Sequence, residues 1–143
     1  MRQLERVFVA LGSNVGDREA HLAFARAKLA TVPHTHLVAA SQIEETAPLG
    51  PVVQPPYFNQ MVLLLTALSP TELLGRCLAI EAERGRVRGE RWGPRTLDLD
   101  IVRFGERAIQ EPGLVIPHPE LPHRDFWQRE LAELDALVTS SHD

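Results

Sequence analysis

Thr96-Leu-Asp-Leu-Asp-Ile-Val-Arg-Phe104 is the stretch on which the fold turns. Leu97, Leu99 and Ile101 alternate with Asp98 and Asp100, a period-two pattern that predicts a strand with one apolar and one acidic face. Gly105 ends it. Working backwards, Ser69-Pro-Thr-Glu72 is a capping box with proline at the first helical position. It predicts a helix running to about Arg84 and stopping at Gly85. Tyr57 to Ala67 reads as an apolar strand. Ahead of it, Ala47 to Pro56 holds four prolines in ten residues, which predicts a stiff loop. Residues 37–46 are β-compatible. Leu22, Ala25, Leu29 and Val32 form a helical stripe over about 17–32, ended by Pro33. Val7-Phe-Val-Ala-Leu11 reads as a buried strand. With 96–104 as its last strand, the order is β-α-β-β-α-β. That order predicts an α+β, ferredoxin-like sandwich: an antiparallel sheet with two helices packed on one face. A proline-punctuated segment and a C-terminal helix near 125–138 follow.

The chain has 143 residues, the span of a single domain (1–143), with 44% apolar and 24% charged residues, an ordinary globular balance. The longest apolar run, Met61 to Leu65, is far short of the roughly 20 residues a membrane span needs. The opening Met1-Arg-Gln-Leu-Glu-Arg6 does not resemble a signal peptide. Cys77 is the only cysteine, which excludes an internal disulfide framework and a cysteine zinc cluster. A cytoplasmic protein is the expectation.

Net charge is −4, yet residues 84–95 carry +4, from Arg84, Arg86, Arg88, Arg91 and Arg95 against Glu90. A local cationic loop on an acidic chain suits a small polyanion better than a long nucleic acid. Gly85, Gly89 and Gly93 punctuate the loop, and its apolar anchors are only Val87 and Trp92. It is expected to act as a lid that orders around a bound triphosphate.

Asp98 and Asp100 share a strand face just downstream of these arginines. Paired acids also suit a solvated face. Beside cations, they match a magnesium–nucleotide site, in which carboxylates hold the metal and arginines hold phosphate oxygens. The common nucleotide motifs are absent: neither Gly-x-x-x-x-Gly-Lys-Ser/Thr nor Gly-x-Gly-x-x-Gly occurs. Gly12-Ser-Asn-Val-Gly16 follows a strand and precedes a helix, the setting of a phosphate loop, though a plain turn is the preferred reading. No nucleophilic triad can be assembled. His34 and His36 read as surface residues, whereas His118, held between Pro117 and Pro119, is better placed to act. Tyr57, Trp92 and Phe126 adjoin polar or proline-rich loops, where rings serve either as core or as stacking platforms.

Arg91-Trp-Gly-Pro-Arg-Thr-Leu-Asp-Leu-Asp-Ile101 resembles the most specific block of the 6-hydroxymethyl-7,8-dihydropterin pyrophosphokinases, a folate-pathway family. Ala10-Leu-Gly-Ser-Asn14, Thr46-Ala-Pro-Leu-Gly50 with Tyr57-Phe-Asn59, Phe104-Gly105, and Pro117-His-Pro-Glu-Leu-Pro-His-Arg-Asp-Phe126 follow the same family in the same order. The resemblance implies transfer of pyrophosphate from ATP to the pterin hydroxymethyl oxygen, releasing AMP. It implies that Asp98 and Asp100 hold two Mg2+ ions on the triphosphate. Arg86 and Arg95 would neutralise the transferred group. Arg88, Arg91 and Trp92 would close over ATP, with Trp92 also reaching the pterin, and His118 and Arg124 would contact phosphates. Glu81 matches an acid near the nucleotide. Tyr57 and Phe126 would sandwich the pterin, while Asn59 and the backbone at Thr46 and Leu49 read its edge. The implied partners are these two small molecules, acting on a monomer without nucleic acid or membrane.

Three departures from the family pattern stand out. Trp127-Gln-Arg-Glu130 replaces a usually apolar run, Ala47 replaces a common proline, and Gly113 and Val115 stand where some members carry polar side chains. Backbone groups are therefore expected to carry more of the adenine and ribose contacts. Two other classes were open from the residues themselves. One is a non-catalytic module of the same fold, small-ligand-sensing or RNA-binding; an RNA-recognition sheet should show exposed aromatics on its central strands, which Val7-Phe-Val and Met61 to Leu65 lack. A metal nuclease would use the acid pair differently, and AMP release from ATP and pterin separates it from the kinase.

Overall fold

Val7, Val9 and Leu11 are buried on one side of the first strand and Ala10 on the other, so β1 (Glu5–Ser13) is covered on both faces. The computed structural model describes residues 3–48, 50–51, 53–85 and 96–140. In chain order after β1 come α1 (Arg18–Leu29), β2 (Thr35–Ala40), β3 (Glu44–Thr46), β4 (Tyr57–Thr66), α2 (Pro70–Glu83) and β5 (Asp98–Phe104). A hairpin of β6 (Ile109–Glu111) and β7 (Leu114–Ile116), a 3-10 turn (Leu121–His123) and α3 (Asp125–Ser140) complete it. The main sheet runs β2-β4-β1-β5, with β3 also paired to β4, and every pairing is antiparallel. This is an α+β chain built on a mostly antiparallel sheet.

The capping box forms as the sequence requires. Ser69 Oγ accepts the Glu72 N–H at 3.1 Å, and Glu72 Oε1 accepts the Ser69 N–H at 2.8 Å. Such caps contribute about 1 kcal/mol. Gly85 follows the helix at φ 84°, the left-handed stop that glycine adopts without strain. Leu22, Ala25 and Leu29 of α1 pack with Leu73, Cys77 and Ile80 of α2 against Val7, Val9, Leu11, Leu99 and Ile101. Each fully buried aliphatic side chain here contributes about 1.5–3 kcal/mol. On the opposite face, Trp127, Leu131 and Leu134 of α3 cover Ala10, Met61, Leu63 and Val102. A register shift between β1 and β5 near Phe8 and Val9 returns Phe104 to the α1–α2 face, three residues after Ile101.

Three expectations need correction. Residues 37–46 are two strands rather than one. At the break, the Met61 N–H donates to Ser41 Oγ at 2.9 Å and Gln60 Nε2 donates to the Ser41 carbonyl at 2.6 Å. Side chains thus replace part of the backbone ladder. Helix α1 ends at Leu29, although Val32 stays buried against the same core. The proline-rich segment after Gly105 contains the β6–β7 hairpin, with Gly113 at φ 78° in its turn. Of the expected lid, residues 84–95, all but Arg84 and Gly85 lie outside the described residues.

Candidate active site

On the α3 side of the sheet, Gly12 of β1 pairs with Asn59 of β4 and with Asp98 of β5. The next row pairs Ala10 with Met61 and Asp100. The strand pleat places Asp98, Asp100, Asn59 and Tyr57 on one face. Asp98 and Asn59 stand two strands apart, about 10 Å by standard strand spacing. Asp98 and Asp100 are half-buried, while Leu97 and Leu99 behind them are fully in the core. The acidic face is therefore the outward one, as the alternation predicted.

Gly12 is the residue the sequence did not reveal. A Cβ there would stand 3.3 Å from Asn59 Oδ1, with Tyr57 Cδ1 and Cε1 at 3.6 and 3.9 Å. The missing side chain lets the Asn59 amide and the Tyr57 ring settle over β1. Asn59 is buried, and its Nδ2 donates to Thr46 Oγ1, which ties β3 to the same floor. The only clue was Gly12's place in the Ala10–Asn14 block.

Asn14 and Arg18 were also missed as organisers. Asn14 Nδ2 donates to Gln54 Oε1 at 2.7 Å and to the Pro55 carbonyl at 3.1 Å. Arg18 Nη1 donates to the Pro56 carbonyl at 2.9 Å and pairs with Glu45 at 3.3 Å, its guanidinium lying 3.9 Å over the Phe58 ring. The loop after β1 and the first residue of α1 thereby fasten the proline-rich loop that leads into Tyr57.

His118 stands against β5, its backbone N–H donating to the Val102 carbonyl at 3.0 Å. Its Nδ1 accepts the Glu120 N–H at 3.0 Å. A neutral ring therefore carries its proton on Nε2, which faces Asp100 Oδ1 at 3.7 Å. Burial, and then the Arg124 charge, hold the imidazole below its ordinary pKa, while Glu120 opposes them. The Arg124 guanidinium lies 4.4 Å over the Trp127 ring, and its buried Nε has no hydrogen-bond partner among the described residues. Trp127 also meets His118 edge-on at 5.0 Å. Cation and imidazole thus share a wall beside Asp100, where an anionic oxygen could complete them.

Glu81 is buried, and its Oε2 accepts the Leu99 N–H at 2.7 Å. It holds the backbone between the two acids. Phe126 is partly buried against the α3 cluster next to Trp127. His34 and His36 are exposed, as expected. Cys77 is buried, its thiol pushed up to about 12 chiefly by burial, so it is a core residue. Arg86, Arg88, Arg91, Trp92, Arg95 and Leu49 lie outside the described residues.

Asp98 and Asp100 offer hard oxygens suited to magnesium. No larger cluster of His, Cys, Asp or Glu able to hold a metal occurs among the described residues. Magnesium fits such a sparse set, since it is commonly bound by one or two carboxylates together with substrate phosphates and water.

The profile of the family described as 7,8-dihydro-6-hydroxymethylpterin-pyrophosphokinase matches residues 8–136. The chain is 45% identical over 131 residues to a Pseudomonas aeruginosa protein named 2-amino-4-hydroxy-6-hydroxymethyldihydropteridine pyrophosphokinase, covering 92% of this chain and 81% of that one. A Haemophilus influenzae protein of the same name is 44% identical over 119 residues, covering 83% and 74%. A third, from Bacillus subtilis, is 43% identical over 127 residues, covering 89% and 76%.

Proposed function

The chain belongs to the 7,8-dihydro-6-hydroxymethylpterin-pyrophosphokinase family, and on that premise we propose how its residues divide the work. The reaction is transfer of a pyrophosphoryl group from ATP to the hydroxymethyl oxygen of the dihydropterin, releasing AMP, a step of folate biosynthesis. The observation that carries the assignment of roles is the row Asp98–Gly12–Asn59 across one sheet face. It sets a polar, edge-reading floor at one end and paired acids at the other.

Asn59 and Thr46 meet the hydrogen-bonding edge of the pterin, with the backbone at Leu49, and Tyr57 and Phe126 hold its faces. That placement leaves the hydroxymethyl group pointing along the row toward β5. Asp98 and Asp100 hold two magnesium ions, which offset charge on the triphosphate. His118 presents Nε2–H, and Arg124 the outer nitrogens of its guanidinium, to phosphate oxygens. Arg86 and Arg95 meet the transferred group, and Arg88, Arg91 and Trp92 close over the nucleotide. Glu81 acts through β5, fixing the backbone between the acids. An alcohol attacking phosphorus needs alignment and charge neutralisation more than a covalent nucleophile. Every group named supplies one or the other.

The strand order, with α1 and α2 on one face, is read as the ferredoxin-like arrangement. The protein is taken to act in the cytoplasm as a monomeric single domain. Among the described residues, no helix is long and apolar enough to cross a membrane. Incubation with ATP, magnesium and 6-hydroxymethyl-7,8-dihydropterin tests the function, with nucleotides resolved by anion exchange. Pterin-dependent AMP should appear. ADP with free phosphate, or AMP formed without pterin, would refute the reading.

A further inference from the structure

Helix α3 turns Trp127, Leu131 and Leu134 to the sheet, and Glu130 stands in the same stripe. Glu130 is 1% exposed, and neither carboxyl oxygen receives a hydrogen bond from a described group. It faces Glu44 of β3, whose Oε2 is also buried without a donor among the described residues. Glu44 Oε1 accepts from Arg129 Nε at 3.2 Å on the exposed side. Glu133 is the next charge along the helix and accepts the Gln42 N–H at 2.8 Å. From β4 and β2 the helix meets Met61, Leu63 and Ala39, which carry no charge.

Two carboxylates whose facing oxygens have no donor between them among the described groups repel each other, and burial removes the water that would screen them. One proton converts the repulsion into a donor–acceptor pair. Burial, followed by the facing Glu44, raises the Glu130 carboxyl to about 9, with Arg129 opposing and Glu133 adding to the rise. Near neutral pH Glu130 therefore holds that proton and can donate it to Glu44.

Both members lead directly into the walls of the pterin site. Glu44 pairs in register with Asn59 and stands two residues before Thr46. Glu130 lies one helical turn after Phe126. We propose that Glu44 and Glu130 share one proton as a clamp between β3 and α3, setting the spacing between Phe126 on one wall and Thr46, Asn59 and Tyr57 on the other. They are positioning residues, and the proposal rests on the pterin site assigned above. Loss of the proton separates β3 from α3 and weakens pterin binding, leaving the ATP side unaffected.

Steady-state kinetics across pH test this, with pterin varied at saturating ATP and magnesium. In the wild type, KM for pterin should climb above about pH 9, at most about tenfold per pH unit for a single proton. KM for ATP should stay flat. Glu130→Gln keeps a donor and cannot ionise, so it should remove the climb. Ionisation of the pterin itself is common to both enzymes and cancels in their ratio. Glu44→Gln places the donor on the other partner and should flatten the profile too, which covers a Glu130 variant that does not fold. Coincident profiles for the wild type and a folded variant would overturn the clamp, as would a wild-type profile that stays flat through this range. Tyr57→Ala run alongside separates two failures. If it raises KM for pterin while the profiles coincide, the clamp alone is wrong. If it leaves that KM unmoved, the pterin site is wrong and the clamp falls with it.

Discussion

Replacing Gly12 by alanine adds a single methyl group to the floor of the proposed pterin site. Its nearest neighbours all belong to Asn59 and Tyr57, the closest being Asn59 Oδ1 at 3.3 Å. The backbone accepts the change, because Gly12 is a paired residue inside β1 and needs no left-handed conformation. Losing glycine's freedom in the unfolded chain favours the fold by about 0.4–1 kcal/mol. The tight contact opposes this, so net stability should stay within about 1 kcal/mol of wild type. Binding answers differently. Asn59 must shift by a few tenths of an ångström while Thr46 holds its amide from the far side. A pterin hydrogen bond to a displaced amide forfeits much of its about 0.5–1.5 kcal/mol. A tilted Tyr57 ring forfeits part of the about 1–3 kcal/mol that stacking supplies. The combined loss is about 1–3 kcal/mol, or roughly 5- to 150-fold in Kd. Calorimetry with pterin in the presence of magnesium and a non-hydrolysable ATP analogue measures it directly, with a thermal melt as the stability control. A Gly12→Ala protein that binds pterin as tightly as wild type would refute the reasoning. So would one whose affinity for the analogue falls equally, since the added methyl has no close contact with the acids.

Further outcomes follow from the same geometry. Asp98→Asn and Asp100→Asn should each lower turnover by two or more orders of magnitude with the fold intact, read from initial rates and circular dichroism, and near-normal turnover would refute their role. Tyr57→Ala and Phe126→Ala should each weaken pterin by about 1–3 kcal/mol in calorimetry and leave ATP affinity unchanged; if both bind pterin normally, the rings are only core. Glu130 has a folded-state pKa above its unfolded value, so its contribution is complete below about pH 4.5 and is lost as pH rises toward about 9. Glu130→Gln should therefore be the more stable protein at neutral pH, by about 1–3 kcal/mol in urea melts, and should be less sensitive to pH across that window. A variant that is less stable at neutral pH would sink this.

How much of the fold could be read depended on how local its cause was. The capping box at Ser69 was legible because donors and acceptors three residues apart satisfy one another. The alternation at 97–101 was legible because each apolar member lies in the core. The break at Ser41 was not, because its cause is the Gln60 and Met61 partners contributed by another strand. The β6–β7 hairpin was hidden for a different reason. Its strands are three residues long, too short for a period to show, and the flanking prolines read as loop.

The site divides along the same line. Asp98 and Asp100 were singled out as candidates by spacing, and His118 by the prolines around it. Gly12 could not, because what it does is defined by two side chains on β4 that need the space a Cβ would fill. Glu130 is the opposite case, a charge placed where the helical stripe of Trp127, Leu131 and Leu134 calls for an apolar residue. Read alone, such a residue marks either a misjudged helix face or a buried acid with a partner. The sequence cannot choose, because the partner, Glu44, is 86 positions away on β3. The fold brings them together beside Asn59 and Phe126. A chain that needed only stability would gain from leucine at position 130, since a well-packed apolar residue commonly outperforms a buried acid pair. On the proposed reading the acid is a local cost set against the walls of the pterin site, which is where departures from sequence rules concentrate in working proteins.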